Sequence, residues 1–260
     1  MKTEIKLWET EIPYLLPDAE TPNRMKLYLQ ETDRPLPCVV VLPGGGYRLR
    51  ADHEGEPIAL RFFNGGLNAA VVDYRVEPNR YPAPLADVQR AIRILRSRAE
   101  EWQIDPEKII ICGFSAGGHL ACCSITLPEE AYLPADEIDT FSPRPNGAIL
   151  SYALTSFEEW GHVISGERFL GDRFAVDAAK FNLCQYVNEQ TPKTFLWHTS
   201  DDHIVNVKSS LYFAERLREN HVPFELHVFP QGRHGLGIKS NDPSIEKWPD
   251  LALQWIKNQF

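Results

Sequence analysis

No apolar run in the 260-residue sequence approaches the roughly 20 residues that cross a bilayer. The longest, around residues 38–42 and 109–112, have the length of buried strands. The opening Met-Lys-Thr-Glu-Ile-Lys-Leu-Trp-Glu mixes charges with apolar residues and lacks the continuous apolar stretch and small-residue cleavage site of a signal peptide. The expectation is a cytoplasmic protein without a membrane partner. Basic runs are equally scarce. Lys+Arg number 27 against Asp+Glu 36, a net charge of -9, and nothing more basic than the fragment 93–98 occurs. A nucleic-acid surface needs the opposite excess, so no nucleic-acid partner is expected. Five cysteines, an odd number without C-x-x-C spacing, exclude a paired disulfide framework. Adjacent Cys122 and Cys123 read as small hydrophobes in a reducing compartment rather than as metal ligands or a redox pair. Neither an internal repeat nor a low-complexity linker interrupts the chain, which reads as one domain over residues 1–260.

What is present suffices for a core: 43% of residues are hydrophobic, 11% aromatic and 24% charged, which excludes disordered and coiled-coil classes. Strand-like runs at 25–29, 37–42, 68–74, 108–112, 148–152, 194–198 and 224–229 alternate with helix-like periodicity at 57–63, 86–102, 119–126, 208–219 and 245–258. Several strands are continuous Val/Ile/Leu runs, as strands covered on both faces are. The pattern predicts an α/β fold with a mainly parallel central sheet and helices on both faces. Residues 155–191 are the least regular stretch, a small lid or a helical excursion between strands, and the expected source of substrate shape.

Gly113-Phe114-Ser115-Ala116-Gly117 is a G-x-S-x-G sequence placed directly after the strand Lys-Ile-Ile-Ile-Cys and before a helix-forming stretch. Such a turn holds its serine in a strained backbone conformation, and side chains at the glycine positions would collide with neighbouring chain. Ser115 would then project its hydroxyl above the sheet. A serine hydroxyl becomes a nucleophile only when an oriented base takes its proton. Downstream, Asp201 and Asp202 follow a strand at its C-terminal end, where open α/β sheets place their sites. Beyond the strand 224–229, His234 sits in a loop between Gly232 and Gly235. The other seven of the eight histidines, His53, His119, His162, His198, His203, His221 and His227, fall on presumed helices, strands or earlier loops. Ser115, His234 and one of the two aspartates are therefore the candidate catalytic set, with the second aspartate capping the following turn. Pro43-Gly44-Gly45-Gly46-Tyr47 follows the strand 37–42, and its glycines let amides approach a substrate. Gly45, Gly46 and Ala116 are the candidate oxyanion donors.

With Pro43 to Tyr47, the stretch His53-Glu54-Gly55-Glu56-Pro57-Ile58-Ala59, Tyr74-Arg75, Pro84 with Asp87, residues 113–120 and His234-Gly235-Leu236-Gly237 in hand, the chain resembles the α/β-hydrolase superfamily. More narrowly it resembles the esterase group related to hormone-sensitive lipase, and within it bacterial acetyl esterases and acetyl xylan esterases. The likeness spans nearly the whole chain. Pro43 replaces the histidine usual before the glycines and leaves the N–H donors intact. The order serine, acid, histidine is that of the fold. Many of its hydrolases carry H-x-x-x-D-x-x-V-P, and His198, Asp202 and Val205 match it with Asn206 in place of proline. That register favours Asp202 and leaves Asp201 as the alternative. Glu54 and Glu56 stand at the site entrance or serve the following helix N-terminus; Asp87 reads as structural, and Tyr47 and Trp160 as sugar-stacking or ordinary packing residues.

The resemblance implies a serine esterase acting on small-molecule or oligosaccharide esters, with acetylated xylo-oligosaccharides as substrate class and no metal or organic cofactor. The alternatives are a general short-chain carboxylesterase, a peptidase related to the prolyl oligopeptidases, and a non-catalytic interaction protein. The peptidases normally add a propeller, for which no repeat array exists here, and the last usually loses a triad member.

Overall fold

The computed structural model describes residues 1–260 apart from 10, 20, 128–129, 133–135, 159 and 241. Eight strands form one sheet: β1 (Lys2–Lys6), β2 (Arg24–Tyr28), β3 (Leu36–Leu42), β4 (Asn68–Val72), β5 (Ile104–Phe114), β6 (Gly147–Ser151), β7 (Lys193–Thr199) and β8 (Phe224–Phe229), in the order β1-β2-β4-β3-β5-β6-β7-β8. The pairs β1–β2 and β2–β4 are antiparallel and the rest are parallel. The helices are α1 (Glu56–Asn64), α2 (Ala83–Ser97), α3 (Ser115–Thr126), α4 (Val163–Leu170), α5 (Phe174–Asp177), α6 (Lys208–Glu219) and α7 (Trp248–Gln259). Among the described residues, no helix is long and apolar enough to cross a membrane.

Successive residues of a strand point to opposite faces, so a strand covered on both sides must be apolar throughout. Cys38, Val40 and Leu42 of β3 enter a core with Leu85, Ile92 and Leu95 of α2, Leu120 of α3 and Phe213 of α6. Val39 and Val41 enter a second core with Ile58 and Phe62 of α1 and Trp248 and Trp255 of α7. In β5, Ile109 and Ile111 face the first core, and Ile110 and Cys112 the second. This accounts for the unbroken apolar runs.

Several boundaries differ from the sequence pattern. The helix expected over 86–102 is α2, which ends at Ser97; residues 98–103 leave it in turns that feed β5. Ala99 and Trp102 are nonetheless buried, as a continuing helix would bury them, and this extends the apparent period. Short and charged, β1 gave no signal. Residues 155–191, of which residue 159 lies outside the described set, form the helical excursion: α4, α5 and short 3-10 turns packed through Phe157, Phe169 and Phe181 onto the first core.

Consecutive parallel strands end level with one another. Leu42 of β3 pairs with Gly113 of β5, Phe114 with Ser151 of β6, Ser151 with Trp197 of β7, and Thr199 with Phe229 of β8. The glycine loop, Ser115, Tyr152, the two aspartates and the His234 loop thus all emerge along one edge of the sheet, the side where such folds bind ligands.

Candidate active site

Ser115, the first residue of α3 and directly after β5, has φ of 51°, a left-handed conformation that costs a non-glycine residue energy and turns its hydroxyl out of the sheet. The flanking glycines are required sterically. A Cβ on Gly113 would stand 2.3 Å from the Gly117 carbonyl oxygen, and one on Gly117 2.2 Å from that of Leu42.

The structure joins the three residues expected from sequence into one hydrogen-bonded chain. His234 Nε2 lies 2.7 Å from Ser115 Oγ, and its Nδ1 lies 2.6 Å from Asp202 Oδ2. Asp202 Oδ1 accepts the N–H groups of Ile204 and Val205, each at 2.9 Å. Burial opposes ionisation of Asp202, but hydrogen bonds from His198 and His234, the charge at His234 and the Val205 amide outweigh it and hold the carboxyl well below the usual carboxylate range. With Nδ1–H held by a carboxylate, Nε2 is free to accept the serine proton. His198 is fully buried behind Asp202, its Nε2 donating to the Val205 carbonyl at 3.0 Å and its Nδ1 lying 2.8 Å from Ser210 Oγ. Asp201 differs from the sequence expectation. Its Oδ1 accepts the Gly232 N–H at 2.7 Å, so it ties the β7 loop to the histidine loop, while Asp202 itself caps the turn.

Gly45 has φ of 128°, and a Cβ there would lie 2.1 Å from the Leu49 carbonyl oxygen. Among the described residues no hydrogen bond takes up the N–H groups of Gly45, Gly46 or Ala116, whereas that of Gly44 is spent on Glu54 Oε2 at 2.8 Å. The loop is anchored at its far end by Tyr47, whose hydroxyl lies 2.7 Å from Nδ1 of His119 on α3. Burial pushes the His119 imidazole down to about 3, so it is neutral and accepts the Tyr47 proton.

A cavity of about 300 Å³ opens onto Ser115 and His234, lined also by Gly45, Gly46, Val205 and Ile204. Its opposite wall is α4, with His162 at its N-cap: His162, Ser165 and Arg168, three residues apart, fall on one helix face. His162 Nδ1 lies 2.9 Å from Ser165 Oγ, and burial first, then the neighbouring His234 and Arg168, lower its pKa. These wall residues were not singled out in sequence as part of the site, because polar residues at helical spacing ordinarily mark a solvated face. Trp160 stacks on Tyr212 with centroids 4.5 Å apart, and Tyr47 is buried beside Phe169, so both serve packing. Glu56 pairs with Lys2, but Glu54 is buried inside. Among the described residues no cluster of three or more potential metal ligands occurs.

A mainly parallel sheet that carries a strained serine after β5, an aspartate after β7 and a histidine after β8 defines an α/β hydrolase. Residues 25–217 match the BD-FAE family model, and the chain belongs to this family of α/β-hydrolase esterases. It is 36% identical over 249 residues to endo-1,4-beta-xylanase B of Butyrivibrio fibrisolvens, covering 93% of this chain and 39% of that protein. It is 31% identical over 237 residues to an acetylxylan esterase of Xylanibacter ruminicola, covering 85% of this chain and 45% of the relative. The chain thus spans less than half the length of these two curated relatives. The crystal structure of an acetyl ester-xyloside bifunctional hydrolase from Caldicellulosiruptor lactoaceticus superposes with a TM-score of 0.93 at 40% identity, covering 98% of this chain and 96% of that one.

Proposed function

We propose that the protein is a serine esterase that removes small acyl groups, acetyl first among them, from carbohydrate esters such as acetylated xylo-oligosaccharides. The observation that carries this reading is the unbroken chain from Asp202 through His234 to Ser115 Oγ, with both links under 2.8 Å, at the floor of a small cavity. Ser115 Oγ attacks the ester carbonyl carbon while His234 Nε2 takes its proton. The N–H groups of Gly45, Gly46 and Ala116 receive the negative charge that develops on the carbonyl oxygen, each such donor being worth about 3 to 4 kcal/mol. His234 then protonates the departing alcohol, and the acyl-enzyme forms. A water molecule repeats the attack with His234 as base, Ser115 recovers its proton, and the acid leaves. Asp202 remains ionised throughout and holds the imidazole in the tautomer that both half-reactions need. The cycle balances its protons without a metal or organic cofactor.

A cavity of about 300 Å³ is at the small end for ligand sites and suits an acetyl group with part of its alcohol. The carbohydrate assignment draws on the acetylxylan esterase and the acetyl ester-xyloside hydrolase among the relatives. The polar wall of His162, Ser165 and Arg168 supports a hydroxyl-rich alcohol. All five cysteines are buried, and an odd number of them without a paired framework supports a cytoplasmic location.

The test is acetate release from acetylated xylo-oligosaccharides beside hydrolysis of 4-nitrophenyl acetate, with Ser115→Ala as the blank. Release from both, lost by about 10³-fold or more in the variant, is expected. Turnover of the nitrophenyl ester alone reassigns the protein as a general short-chain carboxylesterase. Activity that survives in Ser115→Ala overturns the mechanism.

A further inference from the structure

Glu54 closes the short 3-10 turn Asp52–Glu54 between the glycine loop and α1, and its carboxylate is 2% exposed. A carboxylate in such a place is costly unless its oxygens are satisfied. Both are. Oε2 accepts the Gly44 N–H at 2.8 Å, and Oε1 accepts the Tyr152 hydroxyl at 2.6 Å. The Tyr152 oxygen in turn accepts the Gly237 N–H at 2.8 Å. One end of this chain of hydrogen bonds is therefore the residue before the oxyanion donors Gly45 and Gly46, and the other lies three residues after His234. Two further contacts tighten it. The Tyr152 ring meets the His234 imidazole edge-on with centroids 5.0 Å apart. Next to Glu54, His53 donates from Nε2 to the Gly235 carbonyl at 2.9 Å. On the serine side Gly44 is wedged: a Cβ there would lie 2.6 Å from Glu54 Oε2 and 3.0 Å from Ser115 Cβ.

We propose that Glu54 is a positioning residue for the acyl-transfer site: its carboxylate, through Gly44 on one side and Tyr152 and Gly237 on the other, fixes the oxyanion loop relative to the histidine loop. The role rests on the reading of Ser115, His234 and the glycine loop given above. The two loops come from β3 and β8, which are not neighbours in the sheet, so their separation is not set by strand pairing. Glu54 supplies the missing link. Its chemistry is specific. Both partners donate to it: the Gly44 N–H can do nothing else, and the Tyr152 hydroxyl, whose oxygen accepts the Gly237 N–H, gives its proton to Oε1. Only an acceptor with no hydrogen of its own suits the position, and an ionised carboxylate is that group. Glutamine matches its size yet turns an NH₂ toward a donor on one side or the other.

The experiment compares wild type with Glu54→Gln, Tyr152→Phe and the double variant on 4-nitrophenyl acetate, and measures affinity for a methyl trifluoromethyl ketone, which forms a tetrahedral adduct with the serine. For Glu54→Gln we expect kcat to fall about 100-fold, as about 1 Å of misplacement at a reacting centre does. KM stays within about threefold, and the ketone affinity falls in parallel with kcat, since both report the same tetrahedral geometry. Tyr152→Phe cuts the link to Gly237 while leaving the carboxylate and the nucleophile in place, and loses about tenfold, part of the full effect of misplacement. The double variant matches Glu54→Gln rather than the product of the two losses. An unchanged kcat in Tyr152→Phe overturns the proposal, even where Glu54→Gln fails to fold. So does a change confined to KM or to thermal stability. If Ser115→Ala is inactive and Glu54→Gln is not impaired, the positioning role alone falls; if Ser115→Ala is active, the site reading falls and takes this role with it.

Discussion

Two buried aspartates, Asp87 and Asp202, are both saturated with hydrogen bonds, and the difference between them separates a residue that holds the fold from one that serves the site. Asp87, in the second turn of α2, accepts the Arg75 amide at 2.9 Å, Arg75 Nε and Nη2 at 2.8 and 2.9 Å, and Trp8 Nε1 at 3.0 Å. Its counterion is a guanidinium, which does not give up its proton in proteins, and Arg75 is fully sealed from solvent. Asp202 also has fixed donors, the Ile204 and Val205 amides, but its remaining partners are imidazoles: His198, sealed behind it, and His234, which reaches the cavity. That ring can exchange a proton, and its far nitrogen faces a hydroxyl at the edge of a cavity. A carboxylate whose partner is permanently charged and enclosed is structural. One whose partner can pass a proton onward is equipped for chemistry.

The largest effect that can break this contrast is on turnover. Asp202→Asn leaves Nδ1 facing an amide, which permits the wrong tautomer, and kcat on 4-nitrophenyl acetate is expected to fall about 10⁴-fold with the fold retained. The same substitution at Asp87 is expected to do the reverse. It leaves the Arg75 charge buried and unbalanced, which lowers unfolding free energy by about 3–5 kcal/mol in denaturant titrations, while kcat per folded molecule is unchanged. Equal effects of the two variants on kcat erase the distinction.

The same contrast explains what was legible in the sequence. The Ser115 elbow, the glycine loop and His234 were readable because backbone sterics demand glycine at fixed positions, and those demands are local. Asp87 read as structural because it stood at the start of the helix expected from residue 86. Glu54 was ambiguous: a carboxylate before a helix ordinarily serves that helix, and its actual partner Tyr152 lies 98 residues on, at the end of an ordinary apolar strand. His162, Ser165 and Arg168 were invisible as a wall because only the packing of residues 155–191 over the elbow turns that face inward. In the fold, the strands buried on both faces announced themselves by composition. The edge strand β1, with Lys2, Glu4 and Lys6 exposed, needs no apolar run and gave none.

A smaller effect sharpens the comparison through pH. His119 clamps the glycine loop to α3 but, unlike His234, is fully buried, and burial lowers its pKa from 6.5 to about 3. The unfolded chain therefore takes up this proton from pH 6.5 downward while the folded one resists it. The stability that the neutral ring contributes is complete above pH 6.5 and drains as pH falls toward 3, at up to about 1.4 kcal/mol per pH unit. Asp202, with its pKa depressed, adds loss only below its unfolded value of 3.8, so the window between pH 6.5 and 4.5 isolates the histidines. His162, also lowered, acts in the same direction and remains in both proteins. His119→Gln keeps an acceptor for Tyr47 and removes the titration. Denaturant titrations across that window are expected to show wild type losing about 2 kcal/mol more than the variant. Parallel curves contradict a neutral His119.

The smallest expected effect tests the finest distinction, that between adjacent carboxylates. Asp201 is exposed, and its Oδ1 holds the Gly232 N–H, while Thr199 Oγ1 donates to the Gly232 carbonyl at 2.8 Å. It thus steadies the start of the loop that carries His234 without touching the ring. Asparagine offers the same oxygen to the same amide, so Asp201→Asn is expected to keep kcat within a few-fold and to cost about 1 kcal/mol or less. The His234 loop then stays in register, and the proton path stays with Asp202. A loss in Asp201→Asn as large as that in Asp202→Asn transfers the acid's role to the neighbouring residue and requires the β7 loop to rotate by one position when substrate binds.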